Sequence, residues 1–124
     1  MGKRILIVDD EINIARIIQY NLDVAGYEAE VAKDGETALV LARGAPAPDL
    51  IILDLLMPKM DGWQVAQALK GDASTARIPI LMLSIVSDRD TGLERGAAAY
   101  LIKPFSITEL LAEVGGLLGT SARG

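Results

Sequence analysis

The sequence contains no cysteine and no histidine, and this absence removes several kinds of chemistry. Zinc sites built from thiolates or imidazoles, cysteine nucleophiles and catalytic triads that use histidine are all excluded. Any functional site must therefore be built from carboxylates, hydroxyls, lysine or the backbone.

Long apolar runs and clusters of basic residues are also missing. No apolar run approaches the roughly 18 residues of a membrane-spanning helix, and the residues after Met1 do not resemble a secretion signal. The 12 basic and 17 acidic residues give a net charge of −5, and the scattered basic residues are unfavourable for binding phosphate backbones. We therefore expect a cytoplasmic protein that binds neither a membrane nor nucleic acid directly.

The length and the apolar content fit one compact domain. A chain of 124 residues with 51% hydrophobic residues can bury a core large enough to fold without disulfides or a structural metal. We expect the domain to span residues 1–118. Residues 119–124 are predicted to form a flexible tail or the start of a linker.

Strand-like and helix-like patterns alternate along the whole chain. Short, almost wholly apolar runs predict buried strands at residues 5–8, 50–53, 80–83 and 99–102. An alternating pattern at residues 27–32 predicts a half-exposed edge strand. Helical spacing follows each strand, including a short helix at 88–95 and a final helix at 106–118. Five such units predict an α/β fold, a single doubly wound parallel sheet with helices on both faces.

Polar residues follow the buried strands at the points where those strands end. These residues are Asp9, Asp10, Asp54, Ser84 and Lys103. Because the carboxyl ends of parallel strands meet at one edge of the sheet, we expect the five side chains to converge. Three carboxylates held together repel one another, and Mg²⁺ suits such a cluster because it prefers oxygen ligands.

A second interpretation of the first acids needs no site. Asp9, Asp10 and Glu11 precede a predicted helix, and acids at a helix start interact favourably with its dipole. For these three residues alone the two interpretations are equally well supported. Together with Asp54 and Lys103, the acids favour a functional site.

Four motifs, taken in order, resemble the receiver domain of two-component response regulators, including the chemotaxis regulators. They are Ile-Leu-Ile-Val-Asp-Asp-Glu at residues 5–11, Leu-Asp-Leu-Leu-Met-Pro-Lys-Met-Asp-Gly at 53–62, Leu-Ser at 83–84, and Tyr-Leu-Ile-Lys-Pro-Phe at 100–105. The resemblance extends from Arg4 to about Leu118. It implies a flavodoxin-like fold with strand order 2-1-3-4-5.

The resemblance also implies a phosphorylation site. In receivers, the aspartate at the position of Asp54 accepts a phosphoryl group from a histidine kinase or a phosphotransfer protein. The family's Mg²⁺ ligands correspond to Asp10, bound directly, Asp9, often bound through water, Asp54 and the carbonyl of Leu56. The domain would then be a signalling switch more than an enzyme, promoting its own phosphoryl transfer and slow dephosphorylation.

Three further residues take roles from the same resemblance. Lys103 would neutralise phosphoryl charge and Ser84 would donate to a phosphoryl oxygen, although each could also be an ordinary polar residue at a strand end. Tyr100 stands where receivers have a switch aromatic, and a half-buried tyrosine without a switching role is an equally weighted alternative. Receivers usually have a cis peptide bond before Pro104, and we expect one here.

Departures from the family pattern keep a second function open. Leu56, Ile85 and Val86 are apolar where receivers often carry small or polar residues. Apolar side chains offer no hydrogen bond to a hydrolytic water, so a phosphoryl group on Asp54 should be long-lived. Ile85 should also crowd the approach to Asp54, so loading from small donors should be slow. The alternative is a pseudo-receiver, a protein-interaction module that is not phosphorylated. A flavodoxin or a Mg²⁺-dependent phosphatase fits the sequence less well, because the phosphate loop and paired acids they need are missing.

Overall fold

The computed structural model of the protein describes residues 2–85 and 96–119. Its strands are β1 (Arg4–Val8), β2 (Glu28–Ala32), β3 (Leu50–Asp54), β4 (Ile80–Ser84) and β5 (Ala99–Ile102). All four pairings are parallel and the order is β2-β1-β3-β4-β5, so the predicted doubly wound topology is confirmed. Most strands extend one residue beyond the apolar runs, because backbone pairing continues through residues such as Arg4 and Ser84.

Four helices lie within the described ranges. They are α1 (Ile12–Val24), α2 (Gly35–Arg43), α3 (Gly62–Lys70) and α4 (Ile107–Leu118). The predicted helix at 88–95 and the tail beyond Gly119 lie outside the described residues. No described helix is both long enough and apolar enough to cross a bilayer.

Three of the four described helices, α2, α3 and α4, begin at a capping side chain. The Asp34 carboxylate accepts a hydrogen bond from the backbone N–H of Thr37 at 2.8 Å and so starts α2. Ser106 and Glu109 form a capping box at the start of α4, each side chain accepting from the other's backbone N–H. These caps fix where each helix leaves the carboxyl end of the sheet.

Two apolar layers cover the two faces of the sheet. One layer packs α2 and α3 against the sheet, and the other packs α1 and α4 against it. The central strands β3 and β4 are buried at every position, whereas β2 has the half-exposed pattern predicted for an edge. The carboxyl end of β3 therefore emerges from a rigid, fully covered part of the sheet.

The chain turns tightly after β3. The backbone N–H of Gly62 donates to the carbonyl of Leu55 at 2.8 Å. A Cβ atom at Gly62 would lie 2.7 Å from the Asp54 carbonyl oxygen, closer than packing permits. Glycine is thus required here for the start of α3 to close against the end of the strand that carries Asp54.

Candidate functional site

Three carboxylates meet at the carboxyl end of the sheet. Strands β1 and β3 are neighbours and pair Val8 with Leu53, so Asp9 and Asp54 end adjacent strands in register. Oxygen atoms of Asp9, Asp10 and Asp54 lie within 4.8 Å of one another. Asp9 and Asp54 are 0% and 4% exposed, whereas Asp10 is open to solvent. This acidic cluster has the composition and the spacing to bind a metal ion.

Asp9 is held in an unfavourable environment. Its Oδ1 accepts a hydrogen bond from the backbone N–H of Glu11 at 2.9 Å, but its buried Oδ2 has no hydrogen-bond partner among the described residues. Burial, opposed by the Glu11 hydrogen bond and reinforced by the charge of Asp54, raises the pKa of Asp9 to about 6. A buried oxygen without a partner fits a cation ligand, because a bound cation would remove that penalty.

The same geometry bears on the two interpretations of the first acids. Glu11 is the N-cap residue of α1, yet its side chain makes no capping hydrogen bond. Asp9 accepts from the backbone N–H of Glu11, which lies just before the helix, and one of its oxygens belongs to the acidic cluster. The helix-start interpretation thus gains no capping hydrogen bond from Glu11, and the assignment of these acids to a functional site stays a prediction.

Lys103 pairs with Asp54. Its Nζ lies 2.9 Å from Asp54 Oδ1, and the two side chains are 20% and 6% exposed. Burial raises the pKa of Asp54 although the hydrogen bond and charge of Lys103 oppose the shift. Burial alone would lower the pKa of Lys103, but the bond to Asp54 outweighs it and the pKa is raised. The peptide bond between Lys103 and Pro104 is cis, as predicted.

Ser84 lies on the strand next to that of Asp54, and Tyr100 lies one strand further along the sheet. Ser84 ends β4, is 1% exposed, and its carbonyl accepts the backbone N–H of Lys103 at 2.7 Å. Tyr100 lies on β5 and is 2% exposed, within the apolar layer under α2 and α3. The ring is therefore fully buried in this structure, not half-buried, and its role as a switch stays a prediction.

A cavity of about 250 Å³ opens above Asp54. Its lining consists of Asp10, Glu11, Asp54, Leu56, Ile85 and Lys103. The side chains of Leu56 and Ile85 are 53% and 66% exposed, so they form its rim. Val86, the third apolar residue named from the sequence, lies outside the described residues.

A second, apolar groove adjoins this cavity. It has a volume of about 520 Å³ and is lined mainly by α1 and the segment that leads into α4, including Ile14, Ile17 and Phe105. The groove and the cavity share three lining residues, Glu11, Ile85 and Lys103. Neither the groove nor Glu11 was identified as part of a site from the sequence.

Residues 5–115 match the sequence model of a family described as the response regulator receiver domain. The chain belongs to this family. Among curated proteins, the receiver is 48% identical over 119 residues to a probable transcriptional regulator of Cyanophora paradoxa, covering 94% of the chain and 48% of the relative. It is 44% identical to the alkaline phosphatase synthesis regulator PhoP of Bacillus subtilis, covering 98% and 50%. The chain thus spans about half the length of these relatives.

Solved structures give the same result. The receiver is 36% identical to the chemotaxis protein CheY4 of Vibrio cholerae, with a TM-score of 0.87 over 95% of this chain and 100% of that one. A response regulator structure from Chloroflexus aurantiacus is also 36% identical, with a TM-score of 0.89 over 96% and 99% of the two chains. The family, the fold and the signalling class predicted from the sequence are confirmed.

Proposed function

We propose that Asp54 of this receiver accepts a phosphoryl group from a phosphohistidine on a histidine kinase or phosphotransfer protein. The observation that carries the proposal is a buried aspartate, bonded to Lys103, at the mouth of an open acidic cavity. A carboxylate there can act as an oxygen nucleophile, and phosphoryl transfer depends mainly on positioning and charge neutralisation.

Each residue of the site would have its own role in the phosphoryl transfer. An oxygen of Asp54 forms the bond to phosphorus while the phosphorus–nitrogen bond breaks and the histidine nitrogen keeps the electron pair. Lys103, which already contacts Asp54, would stabilise the negative charge of the phosphoryl oxygens. The Ser84 hydroxyl, at the end of the adjacent strand, would donate to one of those oxygens. Leu56 and Ile85 border the cavity and would hinder the entry of an ordered water.

Mg²⁺ is part of the proposal. Asp9, Asp10, Asp54 and the carbonyl of Leu56 would hold it, and the orphaned Asp9 Oδ2 supports that ligand set. When bound, the ion supplies positive charge at the phosphoryl oxygens. Asp10 is the exposed member of the cluster and so the one able to reach a hydrated ion directly.

We also assign the apolar groove as the docking surface of the donor protein. A phosphohistidine that reaches Asp54 must enter through the cavity, whose lining continues into the groove through Glu11, Ile85 and Lys103. Ile14 and Ile17 are 37% and 55% exposed there, which is more apolar surface than a helix facing only water needs. A helix with an apolar face is the kind of partner that such a groove accommodates.

The relatives support a proposal for the output. A relative from Synechocystis, 45% identical over 123 residues, is described as a DNA-binding transcriptional regulator, and this chain covers 51% of it. We propose that phosphorylation of the receiver controls an output domain or a separate partner, with Ser84 and Tyr100 carrying the change to the binding face. A cytoplasmic location, where kinase and receiver would meet, belongs to the same proposal.

Mass spectrometry tests the phosphoryl acceptor. Wild type, Asp54→Asn and Asp49→Asn are incubated with Mg²⁺ and phosphoramidate, and their intact masses are recorded. Asp49 is a matched control because it is an acid at the opposite end of the sheet, where it accepts the backbone N–H of Arg4. We expect one added phosphoryl group on wild type and Asp49→Asn and none on Asp54→Asn. If no form is labelled by phosphoramidate or by any kinase, the domain is a pseudo-receiver and the proposal is wrong.

A further inference from the structure

Glu11 lies at the junction of the cavity and the groove. It lines both, it is exposed to solvent, and its backbone N–H is bonded to Asp9. Its carboxylate makes no capping bond, and among the described residues it forms no hydrogen bond or ion pair. The side chain therefore contributes its negative charge to the mouth of the site.

That charge has no counterpart among the described residues once the site is complete. Asp9, Asp10 and Asp54 carry three negative charges, while Lys103 and a bound divalent cation carry three positive ones. The reactive centre is then neutral, and the charge of Glu11 is left over. The charge also acts inside the site. It raises the pKa of Asp54 and the pKa of Lys103, although in each case by less than burial, the contact between the two side chains and one neighbouring aspartate change that pKa.

We propose that Glu11 is a specificity residue that selects phosphoryl donors by their charge. It disfavours small dianionic donors such as acetyl phosphate and is tolerant of donors whose leaving group is protonated and less negative. The inference rests on the proposed phosphorylation of Asp54. Its electrostatic origin means that the discrimination should weaken as salt screens the charge, since the screening length falls from about 30 Å at 0.01 M to about 3 Å at 1 M.

Both donors transfer their phosphoryl group to Asp54 by the same kind of displacement. With acetyl phosphate, an Asp54 oxygen bonds to phosphorus, the phosphorus–oxygen bond to the acetyl group breaks, and acetate leaves with the electron pair. With phosphoramidate the phosphorus–nitrogen bond breaks, and the nitrogen, already protonated near pH 7, leaves as ammonia. The donors differ in net charge, which is the property that Glu11 should sense.

Loading kinetics with the two donors test the role of Glu11. Wild type, Glu11→Gln and Glu36→Gln are loaded at saturating Mg²⁺, at low and at high sodium chloride, and phosphorylated protein is counted by intact mass. Glu36 is an exposed acid in the first turn of α2, so its substitution changes the net charge equally but away from the site. At low salt, Glu11→Gln should load from acetyl phosphate about two- to five-fold faster, as expected for one exposed charge near the reaction.

The remaining arms separate charge selection from a structural role. The gain with phosphoramidate should be smaller, both gains should vanish in high salt, and Glu36→Gln should match wild type throughout. An equal gain with both donors, a gain that survives high salt, or no gain would overturn the role of Glu11 while Asp54 still becomes labelled. Absence of labelling in every form would instead overturn the phosphorylation of Asp54 itself.

Discussion

Two ion pairs of nearly equal length lie at opposite ends of the sheet. At the amino end, Arg4 and Glu28 are 2.8 Å apart, with side chains 44% and 55% exposed. At the carboxyl end, Lys103 and Asp54 are 2.9 Å apart, with side chains 20% and 6% exposed. Exposed pairs contribute about 0–1 kcal/mol, whereas charges removed from water must be compensated by their partners. The two ends therefore differ in the burial of their ion pairs and not in contact distance.

The acids at the two ends differ in the same way. Asp49 accepts the backbone N–H of Arg4 in an exposed position, whereas one oxygen of Asp9 is buried without a partner among the described residues. The carboxyl end therefore holds unfavourable electrostatic energy that a cation or a proton can relieve. The following variants test this contrast, from the largest expected effect to the smallest.

The pH dependence of stability should separate Asp9 from Asp49. Because the pKa of folded Asp9 is raised to about 6 from an ordinary value near 3.9, its contribution to stability is fully present below about pH 4 and is lost as pH rises through about 6. Urea unfolding in metal-free buffer should show wild type losing about 3 kcal/mol relative to Asp9→Asn between these pH values. Asp49→Asn should follow wild type. Parallel profiles for wild type and Asp9→Asn would contradict the account.

Removing the cation of each ion pair should have unequal costs. Lys103→Met leaves Asp54 buried without its partner, so we expect a loss of about 1–3 kcal/mol in the free energy of unfolding at pH 7. Arg4→Met, which opens the exposed pair, should cost less than about 1 kcal/mol. Chemical denaturation of the two variants side by side provides the measurement. Equal losses would mean that the two ends are electrostatically alike.

The groove at the carboxyl end of the sheet should affect the rate of phosphoryl transfer only when the donor is a protein. Ile17→Glu places a charge in the groove and should slow transfer from a purified histidine kinase at least tenfold, equivalent to about 1.4 kcal/mol. Val40→Glu is the matched control, because Val40 is 69% exposed on α2 and does not line the groove. The kinase used is the one that phosphorylates the wild-type protein fastest in a panel of purified histidine kinases. If both variants accept phosphoryl from it as wild type does, the donor does not dock in the groove.

The apolar rim should have the smallest effect, on the lifetime of the phosphoryl group. Leu56→Asn gives a hydrolytic water a hydrogen-bond partner, and Ile85→Ala widens the entrance to the cavity. We expect each variant to lose its phosphoryl group a few times faster than wild type, a change well below about 1.4 kcal/mol in the barrier. The decay is followed after removal of the donor. Decay of wild type as fast as both variants would show that the rim does not control hydrolysis.

Much of the fold could be predicted because the determining patterns are local. β3 and β4 are continuous apolar runs, and Ser106 with Glu109 marks the start of the last helix. The convergence of the acids also followed from the sequence, since parallel strands that end in Asp9 and Asp54 must bring them to one edge. The ends of the strands were less predictable, because pairing with a neighbouring strand extends them.

Glu11 and the groove could not be predicted because they depend on how distant segments pack. Helical spacing gives Ile17 and Ile18 the same apolar character, yet the first is 55% exposed and the second 2%. Only the position of Phe105, almost ninety residues later in the chain, makes Ile17 part of a groove. Likewise, the position of Glu11 before a helix suggested a cap, and Glu11 is the N-cap residue of α1, but its side chain makes no capping hydrogen bond.

The identity of the modified residue is the most direct test of the account. Phosphorylated wild-type protein is treated with borohydride, which reduces an aspartyl phosphate to homoserine, and tandem mass spectrometry of its peptides locates the change. The account predicts homoserine at residue 54 only, because Asp54 alone among the three acids is bonded to Lys103. Homoserine at residue 9 or 10, or unreduced phosphate on a serine or threonine, would contradict it.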